Sequence, residues 1–212
     1  MSEPRFDERT AVTEDSEGML PEVPPPPREK RRMRLAAEYV VKVAVMAALL
    51  TALKFALSFI PNVEVVTLLI TVYAAVFGAA YVFPAVLVFC AVEVAVYGVG
   101  SWVILYFVYW PLLAALSCLI LSRKRSAIVA AVTAAVMSVF FGVLSASCDT
   151  LYVAVGFPGL DLGAYWVAYY VRGLTFDLVH IASNLAVVGA LFKPLVAAGE
   201  RVKRASRTAR GG

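Results

Sequence analysis

The sequence predicts an all-α polytopic membrane protein with six transmembrane helices and both termini in the cytoplasm. Of its 212 residues, 61% are hydrophobic and 16% are charged, whereas an ordinary soluble domain is about a quarter charged. The mean hydropathy is +0.81. Uncharged apolar runs of about 20 residues, long enough to cross a bilayer as helix, recur along the chain. These observations predict a multi-pass protein of the cell membrane.

The basic residues test the number of spans. The apolar runs cover residues 35–59, 63–81, 83–98, 101–121, 127–148 and 165–195. Lys and Arg cluster at 28–34, 123–125 and 201–210, before the first span, after the fourth and after the sixth. Because basic residues favour the cytoplasmic side, all three clusters are expected there. With six spans, the three basic clusters all lie on the cytoplasmic side only if both termini are cytoplasmic.

The two ends of the chain differ from its middle. Residues 1–34 mix eight acids with seven bases and contain the stretch EVPPPPREKRRMR, a composition typical of disordered segments. We predict a disordered cytoplasmic tail over 1–34, a membrane domain over 35–197 and a basic cytoplasmic tail over 198–212. The proline run is interpreted as a solvated linker, with recruitment of a partner as the alternative.

The loops IPNVE, YGVGS and GFPGLDLGA contain no Lys or Arg, so they are expected on the outer side. Pro61 ends the first span because proline cannot continue the hydrogen-bond ladder of a helix. Asn62 suits a turn. Glu64 then lies at the outer lip of the second span.

Polar residues inside the spans gather towards the outer side. They are Lys54, Glu64, Glu93, Asp149, Arg172, Asp177, His180 and Asn184. A charge in hydrocarbon costs about 2.5–3.5 kcal/mol or more, so such residues face the bundle interior, pair with each other or line a functional site. Asp177, His180 and Asn184 share one helix face, at spacing i, i+3, i+7. The set favours a binding cavity, with structural pairing, for example of Lys54 with Glu64, as the alternative.

Aromatic residues accompany this polar set. Four of them recur at i, i+4, i+7 and i+8 in the fourth span, namely Trp102, Tyr106, Tyr109 and Trp110, and Tyr97 lies one turn beyond Glu93. Flat rings beside carboxylates suit a small planar or cationic molecule. For Trp102 an interfacial aromatic belt is the alternative.

Small residues form a stripe along the first span. Ala44, Ala48, Ala52 and Ala56 follow each other at four-residue spacing, which lets another helix approach closely within a membrane. The stripe predicts a docking surface for a second membrane protein. Packing within the protein's own bundle is the alternative.

Several catalytic motifs are missing from the sequence. It contains no GxxxxGK[ST], no HExxH and no GxSxG-type frame around Ser145 or Ser147, so neither ATP hydrolysis by that route nor metal or serine proteolysis is expected. The three cysteines have no CxxC spacing. We predict a protein that is not an enzyme and has no metal, no cofactor and no nucleic-acid partner.

The chain resembles one family in several blocks. The alanine stripe, the turn IPNVEVVTLL followed by VYAAVFG, and the blocks EVAVYGVGSW, YWPLL and FDLVH are similar to those of substrate-binding S components of energy-coupling factor transporters. The resemblance covers about residues 35–197. It implies a subunit that binds a vitamin or similar micronutrient from outside. It also implies docking, through the alanines of the first helix, on a transmembrane coupling protein and two cytoplasmic ATPases.

The resemblance also gives a set of candidate substrate-binding residues. They are Asn62, Glu64, Glu93, Tyr97, Trp102, Asp149, Arg172, Asp177 and His180. Because the N-terminal segment MSEPRFDERT has no histidine, an organic ligand is expected rather than nickel or cobalt. The excess of acids in the cluster favours a neutral or cationic heteroaromatic compound. A stand-alone proton-coupled carrier and a membrane scaffold without transport activity are the alternative functions.

Overall fold

The computed structural model describes residues 27–60, 63 and 65–211, within which no strand occurs. Six helices lie in this part of the chain: α1 Pro27–Ala56, α2 Val66–Val76, α3 Ala79–Tyr97, α4 Ser101–Leu121, α5 Ala127–Gly156 and α6 Leu162–Gly211. All except α2 are long and apolar enough to cross a membrane. The predicted all-α class is therefore confirmed, with α4 matching its predicted span. Residues 1–26, Asn62 and Glu64 lie outside the described residues.

The chain divides into two compact units, Met1–Ala37 and Glu38–Gly212. In the first unit, residues 27–37 form the opening turns of α1, although residues 27–34 are predicted to belong to a disordered tail. Pro27 suits the first helical position because its φ is already fixed, and Glu29 places a negative charge in the first turn, where the helix dipole favours it. The helix therefore begins within the predicted tail.

The second helix departs furthest from the predicted spans. One span was expected over 63–81, but α2 has only 11 residues, about 16 Å of helix against a hydrocarbon core of about 30 Å. It ends where Gly78 adopts a φ of 80°, a left-handed conformation that terminates helices. All of its residues are buried. A sixth full span is thus not confirmed.

Helix α2 forms the centre of the core. It packs against α3, α4, α5 and α6 and contributes to both apolar clusters of the protein. In one cluster Ile70 lies with Leu50 of α1 and Phe89 of α3. In the other, Val72 lies with Phe192 of α6. The short helix is therefore enclosed by protein rather than by lipid.

Polar contacts show which helix ends lie together. Three contacts join one end: Tyr39 Oη donates to the Ala80 carbonyl at 2.9 Å, Lys203 Nζ donates to the Val76 carbonyl, and Arg125 pairs with Glu200 at 2.8 Å. We call this the basic end. Lys54 of α1 meets Glu93 of α3 at the opposite end. Successive helices, including α2, therefore run in alternating directions.

The C-terminal segment is also helical. Residues 198–212 are predicted to be a basic tail separate from the membrane domain, but α6 runs without a break to Gly211 and contains Pro194 within it. The Lys203 contact with Val76 holds this extension against the core. The predicted boundary at residue 198 is therefore not a helix end.

Candidate functional site

A cavity of about 350 Å³ lies towards the end opposite the basic end. We call it the aromatic cavity. The loop between α1 and α2 and five helices supply its lining: Lys54, Leu57, Ser58, Ile60, Val63, Tyr97, Tyr106, Trp110, Phe141 and His180. Its volume is in the range of sites that hold small organic molecules.

Lys54 is the charged centre of the aromatic cavity. Its ammonium group forms a hydrogen-bonded ion pair with the Glu93 carboxylate and lies 5.0 Å and 5.1 Å from the ring centroids of Tyr97 and Tyr106. Aromatic faces attract a cation at such distances. The Glu93 side chain is 2% exposed and that of Lys54 is 22% exposed. The pair therefore presents its positive member to the cavity while its net charge is zero.

The walls of the aromatic cavity are rings packed edge to face. Tyr106 and Trp110 lie 5.7 Å apart at 82°, and Phe141 and His180 lie 5.2 Å apart at 88°. Trp110 is 1% exposed, and its Nε1 has no hydrogen-bond partner among the described residues. A buried donor without an acceptor costs about 1–3 kcal/mol. An acceptor atom on a flat ligand would satisfy it.

A second cavity of about 290 Å³ lies between α5 and α6. We call it the polar crevice. Arg172, Asp177, Ser145 and Tyr169 contribute polar groups to its wall, and Phe141 lines both this crevice and the aromatic cavity. Within the described residues Arg172 and Asp177 do not form an ion pair with each other or with another side chain. Uncompensated charges at such positions cost about 2.5–3.5 kcal/mol or more in a membrane.

The Asp177 carboxylate occupies space that only a glycine leaves free. A Cβ added to Gly142 of α5 would lie 1.9 Å from Asp177 Oδ2. Real Cβ atoms do not approach other atoms this closely. Because Gly142 has no side chain, the Asp177 carboxylate can lie against the backbone of α5.

Gly142→Ala is expected to lower the free energy of unfolding by about 1–3 kcal/mol, because the new methyl group must displace Asp177. Alanine is otherwise the better helix former by about 1 kcal/mol. Gly173→Ala is the matched control on α6, since its Cβ would meet nothing within 4 Å, and it should be neutral or stabilising. Thermal unfolding in detergent measures both. Equal effects of the two substitutions would contradict the close approach.

Two predicted site residues lie away from both cavities. The Asp149 carboxylate accepts hydrogen bonds from Ser101 Oγ at 2.5 Å and from Tyr165 Oη at 2.6 Å, so it joins the first turns of α4 and α6 to α5. Trp102 packs against Tyr106 with ring centroids 5.1 Å apart. Neither Asp149 nor Trp102 lines the aromatic cavity.

The alanine stripe lies on the surface of α1. All four alanines are exposed, while the buried face of the helix is formed by Val43, Met46 and Leu50. A groove of about 590 Å³ runs between α1 and α3. We call it the alanine groove, and it is lined by Ala44, Ala47, Ala48, Thr51, Ala52, Phe55, Val88, Val92, Glu93, Val96 and Tyr97. Within the described residues, none of the four alanines is buried against another helix of this chain.

The structure thus divides the predicted site residues into groups. Tyr97 and His180 line the aromatic cavity and Glu93 pairs with its lysine, whereas Arg172 and Asp177 line the polar crevice. Among the lining residues that the predicted set did not include are Lys54, Tyr106, Trp110, Phe141 and Ser145. The first three belong to patterns visible in the sequence. Phe141 and Ser145 carry no such signal.

The comparisons with known proteins leave the family open. Within the described residues no group of three His, Cys, Asp or Glu side chains could hold a metal ion. No protein-family model, curated protein or solved structure matches the chain, so its likeness to S components rests on the sequence blocks alone.

Proposed function

We propose that this protein is the membrane-embedded substrate-binding subunit of an energy-coupling factor type transporter. It would bind a small organic micronutrient in the aromatic cavity and deliver it by docking on a coupling protein and two ATPases. The observation that supports this proposal is the cavity itself. In it an ion-paired lysine and the Trp110 Nε1 donor, which has no hydrogen-bond partner among the described residues, lie among four aromatic rings. Such convergence of a few polar groups in an aromatic pocket is typical of small-molecule sites.

The charge of the cavity supports a neutral flat ligand, because Lys54 presents its ammonium group to the cavity while its ion pair with Glu93 carries no net charge. Since Glu93 already neutralises Lys54, this ion pair offers no net positive charge to a dianion. The exposed alanine groove supports docking of a second membrane protein on α1. With this function the basic end faces the cytoplasm, as the positive-inside rule favours, and the aromatic cavity opens outwards.

The purified protein is expected to bind a member of a panel of vitamins, their precursors and modified nucleobases. Ligand that binds the folded state raises the thermal midpoint by mass action. Trp110→Phe removes the Nε1 donor but keeps a ring, and should weaken binding about tenfold, or about 1.4 kcal/mol. The measurement is the midpoint in detergent as a function of ligand concentration.

Trp166→Phe is the matched control for that experiment. The Trp166 indole donates to Ser147 Oγ at 3.0 Å on the exposed side of α6 and does not line the aromatic cavity. Its replacement should leave the ligand-induced shift unchanged. If no compound in the panel raises the thermal midpoint, the aromatic cavity loses its support as the binding site. The same holds if neither tryptophan substitution changes the ligand-induced shift.

A further inference from the structure

The polar crevice carries two opposite charges that form no ion pair within the part of the chain that the structure describes. Arg172 and Asp177 both line it, five positions apart on α6. That spacing separates them by about 7.5 Å along the helix axis and places them on different sides of it, unlike the i, i+4 spacing of helical ion pairs. The Arg172 guanidinium lies 5.5 Å from the ring centroid of Tyr169. Asp177 has an electrostatic interaction with His180, and neither charge has an ion-pair partner within the described residues.

The crevice is shaped around these groups. Gly142 leaves the space that the Asp177 carboxylate occupies, so the position of this charge depends on the local sequence of α5. Ser145 Oγ lies 3.5 Å from Tyr169 Oη, and the two hydroxyl groups can donate or accept hydrogen bonds on the same wall. Phe141 and Phe176 complete the crevice with apolar surface.

A ligand with one charge would leave the other charge of the crevice uncompensated. A ligand that carries a negative and a positive charge would compensate both charges of the crevice. Guanidinium groups bind carboxylates in a bidentate geometry, and carboxylates accept hydrogen bonds from ammonium groups. We propose that the polar crevice binds a small zwitterion, an amino-carboxylate whose carboxylate meets Arg172 and whose ammonium group meets Asp177. This site is separate from the aromatic cavity and does not depend on the function proposed for that cavity.

The test uses ω-amino acids of increasing length, β-alanine, 4-aminobutyrate and 6-aminohexanoate, with hexanoate and hexylamine as probes that carry one charge each. The thermal midpoint of the detergent-purified protein is measured against concentration. At least one amino acid should raise the midpoint saturably, and the singly charged probes should bind at least about tenfold more weakly.

Two variants identify the charges involved. Arg172→Gln, at an exposed position that the core does not need, should abolish the shift produced by the amino acids. Asp177→Asn should remove the preference for the zwitterion over hexanoate. If the amino acids stabilise the protein only as cosolvents, the shift in thermal midpoint will persist in Arg172→Gln, and this result would overturn the proposal. The absence of any shift in the unsubstituted protein would overturn it as well.

The results of the zwitterion experiment can be distinguished from those of the ligand panel that tests the proposed function. Panel compounds that bind while no amino acid does would overturn the zwitterion site and leave the aromatic cavity intact. Amino acids that bind while every panel compound fails would establish the crevice and count against the proposed function.

Discussion

Glu93→Ala should lower the free energy of unfolding by up to about 3–5 kcal/mol, the cost of breaking a fully buried ion pair, because Lys54, which is 22% exposed, loses its partner. The Glu93 side chain is 2% exposed, and its carboxylate forms the ion pair with Lys54. Without it the ammonium group loses its carboxylate partner and keeps its contacts with the neutral side chains of Tyr97 and Tyr106. Thermal unfolding and SDS titration in mixed micelles measure the loss.

A double variant distinguishes the lost charge from lost packing. Lys54→Met combined with Glu93→Leu removes both charges and should recover most of the stability, because apolar replacement of a whole buried pair is often neutral or stabilising. Lys42→Ala is the control at an i, i+4 ion pair on one helix, in which the side chains are 24% and 26% exposed. It breaks the 3.9 Å pair with Glu38 and should cost less than about 1 kcal/mol. A double variant as unstable as Glu93→Ala would show that packing, not charge, dominates at this position.

Under the proposed function, Ala48→Trp should reduce transport at least about tenfold, equivalent to about 1.4 kcal/mol of association free energy, while ligand binding persists. The indole would fill part of the alanine groove, whose volume is about 590 Å³, and would prevent the close helix approach that small residues allow. Uptake by cells that contain the coupling protein and the ATPases measures transport, and the thermal shift of the purified subunit measures binding.

Val45→Trp is the matched control on the same helix. Val45 is 53% exposed and does not line the alanine groove, so a tryptophan there should leave uptake near the unsubstituted level. Equal uptake by the two variants would exclude docking through the alanines. Loss of binding along with uptake in Ala48→Trp would instead mean that the groove supports the fold.

Local sequence patterns predicted those parts of the fold that depend on neighbouring residues. Helix α4 begins and ends where its apolar run does, because Gly100 precedes it and the basic loop follows. The position of the four alanines on one face of α1 also follows from spacing, since a four-residue repeat stays on one face of a helix. Their exposure does not, because the same spacing is compatible with packing inside the bundle. The early end of α2 at Gly78 was missed. A single glycine lowers the mean hydropathy of a long apolar run very little, although it ends the helix.

The contacts that form the site depend on how the helices pack against each other. The spacing of residues along the sequence does not determine this packing. Structural pairing of Lys54 with Glu64 was an alternative, but the described partner of Lys54 is Glu93 of α3. Phe141 was missed because an apolar residue inside an apolar span has no local signal. Asp149 was assigned to the substrate, yet its two hydrogen bonds give it a structural role that only the positions of α4 and α6 reveal.

The enclosure of α2 has a consequence for biogenesis. At 11 residues this helix is too short to be inserted as an independent span, and within a bilayer its terminal carbonyl groups must find partners in the protein. One partner is Lys203 of α6, which donates to Val76 and follows it by 127 residues in the chain. The environment of the second helix is therefore completed only after α6 has been synthesised as far as residue 203, so truncation before this residue would leave the centre of the bundle unfinished.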